Sequence, residues 1–140
     1  MKQIPVIFWT GTGNTQMMAD AVAEAINAAG AEAVVKNVSE ITADEAASYD
    51  ALALGCPAMG AEVLEECEFE PFFTELEGKL AGKKVALFGS YGWGGTYMQD
   101  WEARVKDAGA TLVADGVLAL GAPDDEAVAK LAEAGKLLAE

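Results

Sequence analysis

The chain has 140 residues, 52% of them hydrophobic, with 23 acids against 9 bases and a net charge of −14. That length and apolar content suffice for one domain with a sizeable core. The charge makes nucleic acid and anionic membrane poor partners and a basic protein patch a good one, while the absence of histidine excludes His-based triads and His metal sites.

In chain order, a short apolar run is followed five times by a segment of helical period. The runs are residues 4–9, 33–35, 51–54, 85–88 and 112–120, most too apolar on both faces for a solvated antiparallel sheet. Pro5 implies that regular pairing of the first strand begins only near Val6. The first helix is expected to bury Met18, Val22, Ala25, Ile26 and Ala29 and to stop at Gly30. A weaker helix is expected near residues 42–48, where Thr42 and Glu45 have capping-box spacing. Pro71 suits the first turn of a helix carrying Phe72, Phe73, Leu76 and Leu80, with Gly82 beyond it. Trp101, Val105 and Ala108 mark a fourth helix closed by Gly109. Pro123, Asp124, Asp125 and Glu126 open the last one, with Val128, Leu131, Ala132 and Leu138 facing inward and acids at the positive end of its dipole. Strict βα alternation implies a parallel sheet with helices on both faces and right-handed crossovers. Residues 1–140 read as a single domain.

Cys56 and Cys67 form neither a C-x-x-C nor a zinc pattern and are expected to be reduced thiols. No secretory signal opens the chain and no apolar run reaches membrane-spanning length, so a soluble, cytoplasmic protein is expected.

Three segments following strands carry unusual residues. Thr10, Gly11, Thr12, Gly13, Asn14 and Thr15 join the first strand to the first helix. Glycines there let backbone N–H groups approach a phosphate at a helix N-terminus, and the Thr and Asn side chains add donors. The segment holds no Lys or Arg, so a dianion would meet neutral donors alone. An ordinary strand-to-helix turn with a Thr or Asn cap would show the same pattern. The second segment, after Leu54, reads Gly55, Cys56, Pro57, Ala58, Met59, Gly60, Ala61, Glu62. The third, after Phe88, reads Gly89, Ser90, Tyr91, Gly92, Trp93, Gly94, Gly95. Aromatics among glycines are poor core material, and a Trp face opposite the thioether of Met59 could sandwich a planar heterocycle. Glu62 could accept a hydrogen bond from an N–H on that ring's edge. A gap-filling Met and a solvated Glu are the plainer readings of the same residues.

Taken in order, T-G-T-G-N-T, G-C-P-A-M-G-x-E and G-S-Y-G-W-G resemble the three flavin-contacting loops of the flavodoxins, specifically the short-chain kind from anaerobic bacteria. The resemblance covers the whole chain. It implies a three-layer, doubly wound α/β fold with a five-stranded parallel sheet of order 2-1-3-4-5, and FMN held non-covalently. It further implies that Thr10 to Thr15 bind the phosphate. Pro57, Ala58, Met59, Gly60 and Glu62 would line one side of the isoalloxazine, with Glu62 on N3–H. Ser90, Tyr91, Gly92, Trp93 and Gly94 would line the other, with Trp93 as the stacking face. Ala61 departs from the polar residue that relatives often carry there. The stretch from Gly94 to Trp101 is also about one residue shorter than the family pattern, which leaves Gly95, Thr96, Tyr97 and Met98 unassigned.

The implied function is a low-potential one-electron carrier between redox proteins, not an enzyme, and a monomer is expected. Glu62, Glu65, Glu66, Glu68 and Glu70 are candidates for docking basic partners, although a solvated helix face would look the same. A small FMN-dependent quinone reductase is the alternative; it would need a second-substrate pocket for which little chain remains. A phospho-signalling receiver would need an Asp where Gly55, Cys56 and Pro57 stand, and a P-loop hydrolase would need G-K-[ST] after the glycines.

Overall fold

The computed structural model describes residues 3–9, 13–57, 68–91, 97–120 and 123–139. The apolar runs become strands and the periodic segments helices, in the order β1 (Gln3–Phe8), α1 (Asn14–Ala28), β2 (Glu32–Asn37), α2 (Ala43–Ala47), β3 (Ala51–Gly55), α3 (Phe69–Glu77), β4 (Lys84–Tyr91), α4 (Tyr97–Asp107), β5 (Thr111–Leu112), β6 (Val117–Leu120) and α5 (Asp125–Ala139). All strand pairs are parallel, and the sheet runs β2-β1-β3-β4-β5. β6 also pairs with β4. Phe88 sits between Gly55 on one side and Val117 on the other, so β5 and β6 together fill the fifth position.

The expected single strand over residues 112–120 is thus two short ones. The break contains Gly116, whose N–H donates to Glu102 Oε2 at 2.8 Å and where a Cβ would overlap the side chain of Met98. An α4 side chain therefore takes the place of a ladder bond at that point. β4 is longer than the apolar run suggested, because Gly89, Ser90 and Tyr91 continue the strand and pair with Leu118, Ala119 and Leu120. β1 pairs with β2 from Gln3 straight through Pro5, but with β3 only from Val6. The late start holds on the β3 side alone; towards β2 the proline ring removes only the bond its missing N–H would have made.

Side-chain alternation along β1 sends Ile4, Val6 and Phe8 to one face and Ile7 to the other. The first face packs on Met18, Val22 and Ile26 of α1 and on Leu131 and Leu138 of α5. The second packs on Phe69, Phe73 and Leu76 of α3 and on Trp101 and Val105 of α4. Ring edges of Phe69 and Phe73 meet Trp101 at centroid distances of 5.5 and 5.9 Å.

Three expected helical faces shift. Ala29 is the exposed C-cap of α1, followed by Gly30 at φ 93°, and so is not part of the buried stripe. α3 ends at Glu77, and Leu80, though fully buried, lies beyond it. On α5 the inward residues are Ala127, Leu131, Ala134, Gly135 and Leu138, whereas Val128 and Ala132 are exposed. The cause is Gly135, which brings α5 so near α1 that a Cβ would stand 2.8 Å from the Val22 carbonyl oxygen. Thr42 caps α2 by accepting from Glu45 N at 3.1 Å, but the Glu45 carboxylate meets the Thr42 hydroxyl instead of the backbone. The complete reciprocal box belongs to Asn37 and Glu40, at a 3₁₀ turn just before it.

Candidate functional site

From β1 the chain winds outward to β2, then returns to β3 on the other side of β1, so strand order reverses between β1 and β3. Crevices of this kind, at the carboxyl ends of parallel strands, take ligands. Phe8, Gly55 and Phe88 stand in register across the three central strands. Just past them, Trp9 N donates to Gly55 O at 3.0 Å and Cys56 N to Phe88 O at 3.1 Å. The first two segments therefore leave adjacent strands at one level, and β4 continues beside them into the third.

At the first segment, Gly13 is the N-cap of α1 with φ 93°, a left-handed conformation that suits glycine. It provides no side-chain cap, and no acid lies in the first turn. Asn37, Thr42 and Asp124 each accept a backbone N–H at other helix starts, whereas α3, like α1, has no side-chain cap but does carry an acid, Glu70, in its first turn. A helix start with a left-handed glycine, neutral side chains and no carboxylate fits an anion. Asn14 is half-buried, and Thr15 is only 1% exposed. Thr10, Gly11 and Thr12 lie outside the described residues.

At the second segment, Cys56 is buried and Pro57 half-buried. The Cys56 carbonyl accepts a 2.8 Å hydrogen bond from the hydroxyl of Tyr97, the first residue of α4. A Cβ on Gly89 would overlap both of these groups, so glycine at 89 serves close packing between β4 and this bond. Ala58, Met59, Gly60 and Glu62 lie outside the described residues. So do Gly92, Trp93 and Gly94 of the third segment, together with Gly95 and Thr96. Ser90 and Tyr91 are strand residues, not loop residues as expected. Ser90 is 6% exposed, and its Oγ lies 3.2 Å from Thr15 Oγ1, which joins the first and third segments.

Tyr97 and Met98, left unassigned by the sequence, are buried at the start of α4. Nothing in periodicity distinguishes a tyrosine that anchors a strand end from one that fills a core. Trp9 was read as the end of the first strand. It lies just beyond β1, half-buried, and its Nε1 donates to Glu68 Oε1 at 3.1 Å, tying that point to the start of α3.

Two of the five candidate docking acids thus have partners within the chain. Glu68 meets Trp9, and Glu70 receives two bonds from Arg104, at 2.8 and 3.0 Å. Arg104 also donates to Glu77 at 3.1 and 3.2 Å and lies 4.7 Å over the Phe73 ring. Burial favours its neutral form, but the bonds and charges of Glu70 and Glu77 outweigh that and raise its pKa above the ordinary arginine value. Glu62, Glu65 and Glu66 lie outside the described residues.

The flavodoxin family model matches residues 6–135. A flavodoxin of Clostridium beijerinckii is 47% identical over 135 residues, which is 96% of this chain and 97% of that one. A flavodoxin of Megasphaera elsdenii is 47% identical over 116 residues, covering 82% of this chain and 85% of its own. The solution structure of the two-electron reduced Megasphaera elsdenii flavodoxin superposes with a TM-score of 0.90 at 44% identity, covering 97% of this chain and 98% of that one. Relatives matched over nearly their full length are electron carriers, which leaves the reductase alternative unsupported. The chain belongs to the flavodoxin family, the electron-transfer proteins that work through bound FMN.

Proposed function

We propose that this protein is a low-potential one-electron carrier that shuttles electrons between redox proteins, acting as one domain over residues 1–140 and as a monomer in the cytoplasm. The observation that carries the reading is the start of α1: a left-handed Gly13 with no side-chain cap and no acid, at the point where strand order reverses. Thr10, Gly11, Thr12, Gly13, Asn14 and Thr15 would hold the FMN phosphate there through neutral donors. Pro57, Ala58, Met59 and Gly60 would line one side of the ring, with Glu62 accepting from N3–H. Tyr91, Gly92, Trp93 and Gly94 would line the other.

Bound FMN supplies the one-electron chemistry. The chain's part is to orient that group, keep water from it with Met59 and Trp93, and set the charge around it. An excess of 23 acids over 9 bases disfavours further negative charge in the site, which holds the potential low. The same excess suits partners with a basic surface. Among the described residues no helix is long and apolar enough to cross a membrane.

The test is direct. Purified protein is expected to be yellow, with one FMN per chain, and the apoprotein should take up FMN far more tightly than riboflavin. Colourless protein that takes up no FMN would overturn the reading.

A further inference from the structure

Thr15 and Ser90 come from residues 75 apart, yet their buried hydroxyl oxygens face each other at 3.2 Å. Each hydroxyl has one proton and two lone pairs, so within the pair only one can donate. If Thr15 gave its proton to Ser90, it would have none for an anion at the start of α1. If Ser90 donates instead, the Thr15 proton is released for that anion and its O–H is polarised. A phosphate dianion at this helix end selects the second arrangement.

We propose that Ser90 is a positioning residue that acts through Thr15 on the phosphate, rather than a contact of the flavin ring. The inference rests on the reading of the α1 start as the FMN phosphate site. It makes the strand that carries the ring-lining segment a support for phosphate binding as well.

The experiment is a titration of apoprotein with FMN and, separately, with riboflavin, for wild type, Ser90→Ala, Thr15→Val and the double variant. Near-UV circular dichroism serves as a check of the fold. Ser90→Ala is expected to weaken FMN about tenfold, as for a lost hydrogen bond that supports a charged contact, and riboflavin by less than about twofold. In the Thr15→Val background the Ser90→Ala penalty on FMN should shrink to less than about twofold. Equal losses for both ligands would overturn the proposal, since Ser90 would then act on the ring or ribityl chain. An undiminished penalty beside Thr15→Val would overturn it too, as would no loss at all. Should Ser90→Ala fail to fold, Ser90→Cys, of similar size but a weak donor, carries the same comparison. Wild type that binds riboflavin as tightly as FMN would instead remove the phosphate site itself, a failure distinct from that of Ser90.

Discussion

The hydroxyl of Tyr97 and the carbonyl of Cys56 form a buried 2.8 Å hydrogen bond that holds the end of β3 to the start of α4. Gly89 lies against both groups, and any side chain there would overlap them. Three residues from three parts of the chain thus fix the point from which the segment after β3 departs.

Tyr97→Phe should therefore lower stability by roughly 1–2 kcal/mol, the value of a buried hydrogen bond. Gly89→Ala should cost about 3 kcal/mol or more through overpacking. Adding Tyr97→Phe to Gly89→Ala should bring no rescue, because the Cys56 carbonyl is main chain and still stands in the way. Urea unfolding midpoints check all three. A Gly89→Ala protein as stable as wild type would contradict the packing described.

Arg104 joins α4 to α3 by a fork onto Glu70, a second pair of bonds to Glu77 and its seat over Phe73. A lysine offers a point charge and cannot reproduce the fork. The side chains are about one-third exposed, at 29, 36 and 32%, so solvent screening reduces what the network contributes. Arg104→Lys is expected to cost roughly 1–2 kcal/mol, read as a lower urea midpoint at unchanged m-value. An unchanged midpoint would show the network to be energetically idle.

The βα alternation and the helix count were legible because the apolar runs and helical periods of this chain are strong, while the strand order was implied by the resemblance of the three loop motifs. The errors cluster where a contact between elements overrides local pattern. Ser90 looked like loop because it follows Gly89, yet that glycine answers to Tyr97 and the strand runs on. The fifth strand read as continuous because nothing local marks the bond between Gly116 and Glu102. Thr15 was a phosphate candidate from its motif, but its pairing with Ser90 was not legible, since sequence separation hides a single hydroxyl pair.

The same reasoning applies to α5, where periodicity chose Val128 and Ala132 as core and the structure chooses Gly135 and its neighbours. Gly135→Ala gains up to about 1 kcal/mol of helix propensity. Against that, its new Cβ would lie 2.8 Å from the Val22 carbonyl oxygen and 3.0 Å from Ala25 Cβ, an overpacking worth roughly 1–3 kcal/mol. Net destabilisation is expected. Val128, 41% exposed, should by contrast tolerate alanine within about 0.5 kcal/mol. Thermal or urea melts that rank Val128→Ala as the more damaging change would restore the periodicity reading.

Two members of the acidic stretch, Glu68 and Glu70, have partners within the fold. Glu70 is engaged by Arg104, so Glu70→Lys should lower stability by repelling that guanidinium as well as losing its bonds. Glu65 and Glu66 remain as the docking candidates, close in sequence to the ring-lining segment. Electron transfer to a basic redox partner should slow as salt rises, since screening confines the field to about 8 Å at physiological ionic strength. Reversing Glu65 and Glu66 to Lys should lower the association rate and flatten its salt dependence, with stability unchanged. The control is Glu133→Lys on α5, an exposed acid on a helix that covers the other face of the sheet from α3. Stopped-flow rates across a salt series decide between the two accounts. A local patch predicts a large effect at 65 and 66 and a small one at 133. Equal effects per charge would mean that only the net charge of −14 steers the encounter.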